Sequence, residues 1–213
     1  MIVLSHRGYW KTAAEKNTEV AFRRSFDLGF GTETDVRDCG GELVISHDPP
    51  RGPKGGGEMS FEAFLDLLGD RDLPLALNIK ADGLAKAVRA AMSKRPLTRW
   101  FVFDMSVPDT LQQLAAGNPV YARQSEYEPV PALVDRAAGV WLDGFAGEWW
   151  TPETVADWTR RGKSVCVVSP ELHGREYRPA WETLHRASIP PPGRVLLCTD
   201  RPEEAADCFG GRP

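Results

Sequence analysis

Short apolar, β-branched runs recur along this chain, and stretches with helical spacing separate most of them. "IVLSH", "TETDV", "ELVIS", "LALNIK", "WFVFD", "VYARQ", "GVWLD", "SVCVV" and "RVLLC" read as nine strands. Helices are expected over Thr18 to Leu28 behind the capping-prone Asn17, and over Ser60 to Leu68, Gly83 to Ser93, Pro108 to Ala115, Pro152 to Arg161 and Trp181 to His185. Strand followed by helix, repeated this often, argues for parallel strands joined by helical crossovers. The architectures open to it are a doubly wound open sheet and a closed eight-stranded barrel.

One pair of strands breaks the alternation. Only Arg37 to Gly41 separates "TETDV" from "ELVIS", whereas a parallel crossover needs a dozen or more residues, so these two form a hairpin. "DCGG" supplies glycines able to take positive φ at the bend. The return leg carries His47 back beside Glu33 and Asp35. A three-residue loop puts His47 opposite Glu33 and on its face; a two-residue loop shifts the pairing by one and turns it away. Setting the return leg aside leaves eight parallel strands, the number that closes a small barrel. The expected fold class is α/β: a small TIM-type (β/α)8 barrel with a β-hairpin after the second barrel strand.

Strand parity then sorts the side chains. In "LALNIK", Leu75, Leu77 and Ile79 share one face and Ala76, Asn78 and Lys80 the other, so the apolar face meets the helices while Asn78 and Lys80 point inward. Polar groups also close the other strands: Asp104, Arg123, Asp143, Ser169 with Glu171, and Asp200. In parallel barrels the chemistry sits at this C-terminal rim.

Composition narrows the partners. A chain of 213 residues, 42% hydrophobic, suffices for one sizeable core, and one domain over residues 1–213 is expected. A net charge of −4 offers no basic excess to track a phosphate backbone, which argues against nucleic acid and for a small-molecule partner. Cys39, Cys166, Cys198 and Cys208 lack close paired spacing, which fits reduced thiols better than a disulfide frame or a zinc site. The apolar run in "MIVLSHRG" is short for a signal peptide and no stretch approaches spanning length, so a cytoplasmic protein without membrane insertion is expected. The sequence leaves the oligomeric state open.

The block "SHRGYWKTAAEKNTEVAFRRSFDLGFGTETDVRDCGGELVISHDPP" resembles the N-terminal signature of the glycerophosphodiester phosphodiesterase family, within the PI-PLC-like barrel superfamily. It has a histidine-arginine-glycine triplet, an asparagine-threonine helix start, a glutamate-x-aspartate-valine strand and a histidine-aspartate pair, in that order. "LLCTDRPEEAADCF" is similar to the family's closing strand, and the middle of the chain aligns only loosely. The resemblance implies His6 and His47 as an acid/base pair and Arg7 and Lys80 as phosphate contacts. It also implies Glu33 and Asp35 as ligands to a divalent cation, Mg2+ or Ca2+. Where the family carries a third acidic ligand, this chain has Asn78, whose amide oxygen can still coordinate a hard cation but with one negative charge fewer. Asp104 or Asp143 could replace that acid from another strand end. Lys16 stands where the family commonly has an acid.

The physical logic agrees with the resemblance. A phosphodiester's negative charge repels nucleophiles, so cleavage calls for cations on its nonbridging oxygens. Two proton transfers are also needed, and imidazoles, titrating near neutrality, can perform both. Two carboxylates at i and i+2 on one face of a buried strand repel unless a cation lies between them, and oxygen ligands suit Mg2+ or Ca2+ better than zinc. Structural ion pairs from Arg7 and Lys80 are the competing explanation for the same acids. Arg123 and Asp143 are assigned to substrate binding, with Glu171, His173 and Arg175 as further contacts; His185 and the Trp149–Trp150 pair read as structural.

The expected function is metal-dependent cleavage of a glycerophosphodiester or sugar phosphodiester, through a cyclic phosphate or by direct attack of water. The alternatives are a non-catalytic phosphoester-binding barrel, motivated by Asn78, and a lyase that releases the cyclic phosphate. "RGPKGGGE", Arg51 to Glu58, is short where the family often carries a long insertion, and reads as a mobile flap.

Overall fold

A computed structural model describes residues 1–51, 56–187 and 193–210; residues 52–55, inside the expected flap, lie outside them. The strands are β1 (Ile2–His6), β2 (Gly31–Cys39), β3 (Glu42–Ile45), β4 (Met59–Ser60), β5 (Leu75–Ile79), β6 (Trp100–Phe103), β7 (Tyr121–Gln124), β8 (Gly139–Leu142), β9 (Ser164–Val168) and β10 (Val195–Thr199). Between them run α1 (Glu19–Asp27), α2 (Phe61–Leu68), α3 (Ala85–Met92), α4 (Val107–Ala115), α5 (Pro152–Arg160) and α6 (Arg178–Arg186), and α7 (Pro202–Phe209) follows β10.

Parallel pairing runs from β10 to β1, β2, β5 and β6 on one side, and from β10 to β9, β8 and β7 on the other. A single parallel bridge, Val102 to Val120, joins β6 to the start of β7 and closes the ring. The eight-stranded barrel expected from the alternation is therefore present, with β3 and β4 paired antiparallel outside it. β4, a two-residue strand, is an addition to the nine expected.

Parity divides the side chains as the pattern in "LALNIK" predicts. Leu75, Leu77 and Ile79 join Phe22, Phe64 and Val88 in a core between barrel and helices, where Phe22 and Phe64 meet edge to face at 4.7 Å. Inside the barrel, Leu4, Ala76, Phe101, Phe103, Tyr121, Trp141, Cys166 and Cys198 form an apolar plug. Phe101 stacks on Tyr121 and Phe103 on Trp141, with centroids 3.6 and 3.8 Å apart. Water is excluded from this floor, so any charge set directly on it loses hydration.

Several elements differ from expectation. Asn17 does not cap α1: Thr18 is the N-cap, and Asn17 sits at φ +58° with its side chain turned to β2. α6 begins three residues before Trp181 because Pro179 suits a first turn, its missing N–H being one the helix leaves unpaired. α7 was not anticipated, since its charged start hides a buried stripe of Pro202, Ala205 and Ala206. Among the described residues no helix is long and apolar enough to cross a membrane.

The hairpin resolves the register left open by the sequence. Cys39 pairs with Glu42 and Val36 with Ile45, leaving a two-residue loop of Gly40 and Gly41 at φ +59° and +90°. Both positions need the left-handed region, which glycine enters without a Cβ clash. Ser46 N accordingly donates to Asp35 O at 3.1 Å; β3 ends at Ile45, and its register carried onward would set position 47 opposite Thr34 rather than Glu33.

Candidate active site

The C-terminal ends of β1, β2, β5 and β10 meet in one constellation. His6 ends β1, with Nδ1 2.8 Å from Asp200 Oδ1 and Nε2 3.9 Å from Glu33 Oε2. The carboxylate accepts from Nδ1–H and so fixes the tautomer, leaving Nε2 as the basic nitrogen on the side of Glu33. Trp10 Nε1 donates to the same Asp200 oxygen at 3.2 Å. Asp200 was noted in the sequence as a polar strand end and within the closing "LLCTDRP" stretch, with no role assigned to it; its pairing with His6 spans 194 residues.

Arg7 turns the chain out of β1 at φ +56°, and its amide donates to Glu33 O at 2.9 Å. Gly8 follows at φ +79°, where a Cβ would stand 2.8 Å from Ala21 Cβ. The turn therefore requires glycine both for its conformation and for its contact with α1. Arg7 Nε reaches Asp35 Oδ2 at 2.8 Å and Lys80 Nζ stands 3.4 Å from Asp35 Oδ1. Asn17 Nδ2 donates to Asp35 Oδ2 at 2.8 Å while Thr34 Oγ1 donates to Asn17 Oδ1 at 2.9 Å. Asp35 thus anchors both phosphate-contact candidates, as the ion-pair explanation for the acids anticipated.

Glu33 and Asp35 are both buried, and on β2 they share the lumen face. Burial above the apolar plug, and then the neighbouring Asp35 charge, push the Glu33 carboxyl up to about 7; His6, Arg7 and Lys80 pull the other way. Asn78 lies in register with Asp35 on β5. Asn78 Oδ1 is buried and accepts no hydrogen bond among the described residues, whereas Asp35 Oδ1 has the Lys80 ammonium as its ion-pair partner. A buried acid beside an unpartnered amide oxygen on the adjacent strand offers oxygen donors of the kind a hard cation takes. Among the described residues no group of three or more His, Cys, Asp and Glu side chains is placed to hold a metal ion, so such a site would need the Asn78 amide.

His47 stands apart from this group. Its side chain is 49% exposed, with Nδ1 2.8 Å from Asp48 Oδ1, and its carbonyl accepts from Arg37 Nε at 3.0 Å. The imidazole hydrogen bond, first of all, holds the Asp48 carboxyl below its ordinary range, and Arg7 contributes to the same shift. The two-residue loop does not set the His47 ring against Glu33.

The charged chain continues round the mouth. Asp104, at φ +70°, lies 3.8 Å from Lys80 Nζ and also pairs with Arg123, which pairs in turn with Glu128. Asp143 Oδ1 accepts from His173 Nε2 at 2.7 Å and from Gly144 N at 2.8 Å. Glu171 accepts from Ser169, Thr199 and the Asp200 amide, which makes it a brace between the loops after β9 and β10. Trp150 is buried and Trp149 donates to Asp143 O at 2.6 Å, and His185 packs against Phe209. Beside His6 a cavity of about 470 Å³ is lined by Tyr9, Trp10, Lys11, Asp200, Arg201 and Glu203, a size suited to a small molecule.

Structural comparison finds the same barrel fold in solved structures of other proteins. The chain superposes on a glycerophosphodiester phosphodiesterase from Agrobacterium tumefaciens with a TM-score of 0.70 at 17% identity, covering 98% of each chain. It matches an Oleispira antarctica phosphodiesterase, solved with the product sn-glycerol-3-phosphate, with a TM-score of 0.68 at 15% identity, covering 99% of this chain and 97% of that one. A Ca2+-dependent phosphatidylinositol-specific phospholipase C from Streptomyces antibioticus gives 0.56 at 10% identity, over 98% and 95% of the two chains. At these identities the likeness is one of fold. No family model matches the sequence, and no curated protein sequence matches it.

Proposed function

We propose that this protein is a phosphoric diester hydrolase acting on a glycerophosphodiester or sugar phosphodiester, with His6 as its principal proton-transfer group. The observation that carries the reading is the line Asp200–His6–Glu33 beside Arg7 and Lys80, both held on the buried Asp35. The structures solved as phosphodiesterases, one of them with sn-glycerol-3-phosphate, support the same choice.

The residues divide the chemistry between them. His6, held by Asp200, keeps a basic Nε2 that can take the proton from an attacking hydroxyl or water. Arg7 and Lys80 neutralise the nonbridging oxygens, and their ion pairs with Asp35 hold both side chains in place before substrate arrives. His47 is the second proton-transfer group in this reading, delivering a proton to the leaving oxygen from the exposed end of the return leg. Arg123 and Asp143 face substrate from the far side of the mouth. Glu33, Asp35 and the Asn78 amide oxygen would hold a divalent cation, Mg2+ or Ca2+, which supplies charge neutralisation at the phosphate when bound. The acid count of two argues for weak binding in the absence of substrate.

The test is a panel of glycerophosphodiesters and sugar phosphodiesters with Mg2+, Ca2+, Mn2+ or chelator, reading released alcohol. His6→Ala should lower turnover by roughly 100- to 10,000-fold while the variant stays folded and still binds substrate. No turnover by the unmodified protein on any diester under any metal would favour a phosphoester-binding barrel instead. A cyclic phosphate as the sole product would make it a lyase; its transient appearance in phosphorus NMR marks ring opening, and cleavage of a substrate lacking the neighbouring hydroxyl marks direct hydrolysis.

A further inference from the structure

One carboxylate and two buried hydroxyls tie the ends of β9 and β10 together behind Asp200. Ser169, the residue after β9, and Thr199, the last of β10, are both closed to solvent. Ser169 Oγ accepts from Trp181 Nε1 on α6 at 2.8 Å, and Thr199 Oγ1 accepts from Arg201 N at 3.0 Å. Each hydroxyl donates its own proton to Glu171, in the turn after β9: Ser169 to Oε2 and Thr199 to Oε1. The Asp200 amide donates to that same Oε1 at 3.1 Å. Three donors converge on the acid, so both of its oxygens must accept, which is the property of an ionised carboxylate. Among the described residues no lysine or arginine pairs with it, and Arg201 is paired with Glu204.

The direction of the Asp200 side chain follows from this arrangement. Asp200 Oδ1 takes His6 Nδ1 at 2.8 Å and Trp10 Nε1 at 3.2 Å, so it must leave the end of β10 at a fixed angle. One Glu171 oxygen holds the Thr199 hydroxyl and the Asp200 amide, and the same hydroxyl holds the Arg201 amide, which pins three successive residues. On its other side the acid is anchored through Ser169 to Trp181, a member of the core between barrel and helices. Removing the acid would orphan the Thr199 proton where no water reaches it, and the turn would have to relax to pair it again. Asp200 would move with that turn.

We propose that Glu171 is a positioning residue of the proton-transfer line: it acts on His6 through Asp200, and Trp181, Ser169 and Thr199 fix it in place. The inference rests on the phosphodiesterase reading above. Glu171 also lines the cavity beside His6, so direct contact with substrate is the competing explanation.

A double-mutant cycle on kcat separates the two. Glu171→Ala should lower kcat by roughly 10- to 100-fold, the scale of losing a support behind a functional histidine, with KM nearly unchanged. In the Asp200→Asn background the same substitution should change kcat by less than about twofold, because the geometry it protects is already lost. Glu171→Gln keeps an acceptor for Asp200 N and Thr199 Oγ1 and should recover most of the turnover. Losses that multiply in the double variant, a raised KM at unchanged kcat, or no recovery in Glu171→Gln would overturn the role. If Glu171→Ala does not fold, Glu171→Asp, which withdraws the carboxylate by a methylene, takes its place in the cycle with the same outcomes. If no diester is cleaved, the phosphodiesterase reading fails separately, and positioning is read by nitrogen-15 NMR of the four histidines above neutral pH. The His6 signals, assigned with His6→Ala, should show the Nδ1–H tautomer in the unmodified protein and a mixture of both in Glu171→Ala; signals unmoved by that substitution sink the proposal.

Discussion

At the scale of single residues the site is a set of buried charges with few spare partners. Asp200 holds His6 in one tautomer, so Asp200→Asn should lower kcat by at least about tenfold while leaving KM nearly unchanged, because the amide can present its N–H to Nδ1 and stabilise the wrong tautomer. Steady-state kinetics with a pH profile checks this, and a purely structural role would leave the profile unmoved. Glu33 makes a second prediction. Its carboxyl titrates near 7 in the fold against an ordinary value of 4.5, so folding takes up a proton between those values. Its contribution to stability is therefore full below about 4.5 and is lost as pH rises to about 7, by roughly 3 kcal/mol in total. In chelator, Glu33→Gln should flatten that decline and exceed the unmodified protein in stability at pH 8, as read from denaturant melts. A steeper decline in the variant would contradict the assignment.

At the scale of elements the hairpin decides what His47 can do. Gly40 and Gly41 adopt positive φ in a two-residue loop, and Gly41→Val would place a β-branched side chain where φ is +90°. Urea unfolding should show a loss of about 1 to 2 kcal/mol, and relaxation of the loop should change the His47 environment seen by NMR while leaving His6 undisturbed. "DCGG" made a hairpin legible in the sequence, but loop length, and hence which face His47 takes, depended on where pairing starts. Elements with clean apolar alternation, such as "LALNIK", were legible down to parity. α7 was not, because its buried stripe of proline and alanine is too short and too weakly apolar to stand out beside its acids.

At the scale of the whole molecule the site exists only because closure of the barrel gathers strand ends from across the chain. Glu33, Asp35 and the Asn78 oxygen come together across β2 and β5 over a dry plug, and a cation that neutralises them should stabilise the fold. At a hundredfold excess over its Kd, Mg2+ or Ca2+ should raise Tm by roughly 5 to 10 °C, and Glu33→Gln should abolish the shift. Thermal scans with and without chelator test this; an equal shift in the variant would move the cation elsewhere. The same closure forms the relay from Asp35 through Lys80, Asp104 and Arg123 to Glu128, in which Asp104 was legible as a polar strand end and Glu128 carried no sequence signal of its own.

The sequence by itself determined the alternation of strand and helix, the hairpin that interrupts it, and the side chains that face the lumen, because periodicity and loop length act over a few residues. It also named His6, Arg7, Glu33 and Asp35 through one contiguous signature, and Lys80 through the separate "LALNIK" strand. Only the tertiary structure decided that Asp200 orients His6, that Asn17 and two cations hold Asp35, and that His47 lies at the exposed end of its strand. Those outcomes depend on the register and closure of strands far apart in the chain, and on the loss of water from the barrel's interior, neither of which any local stretch encodes.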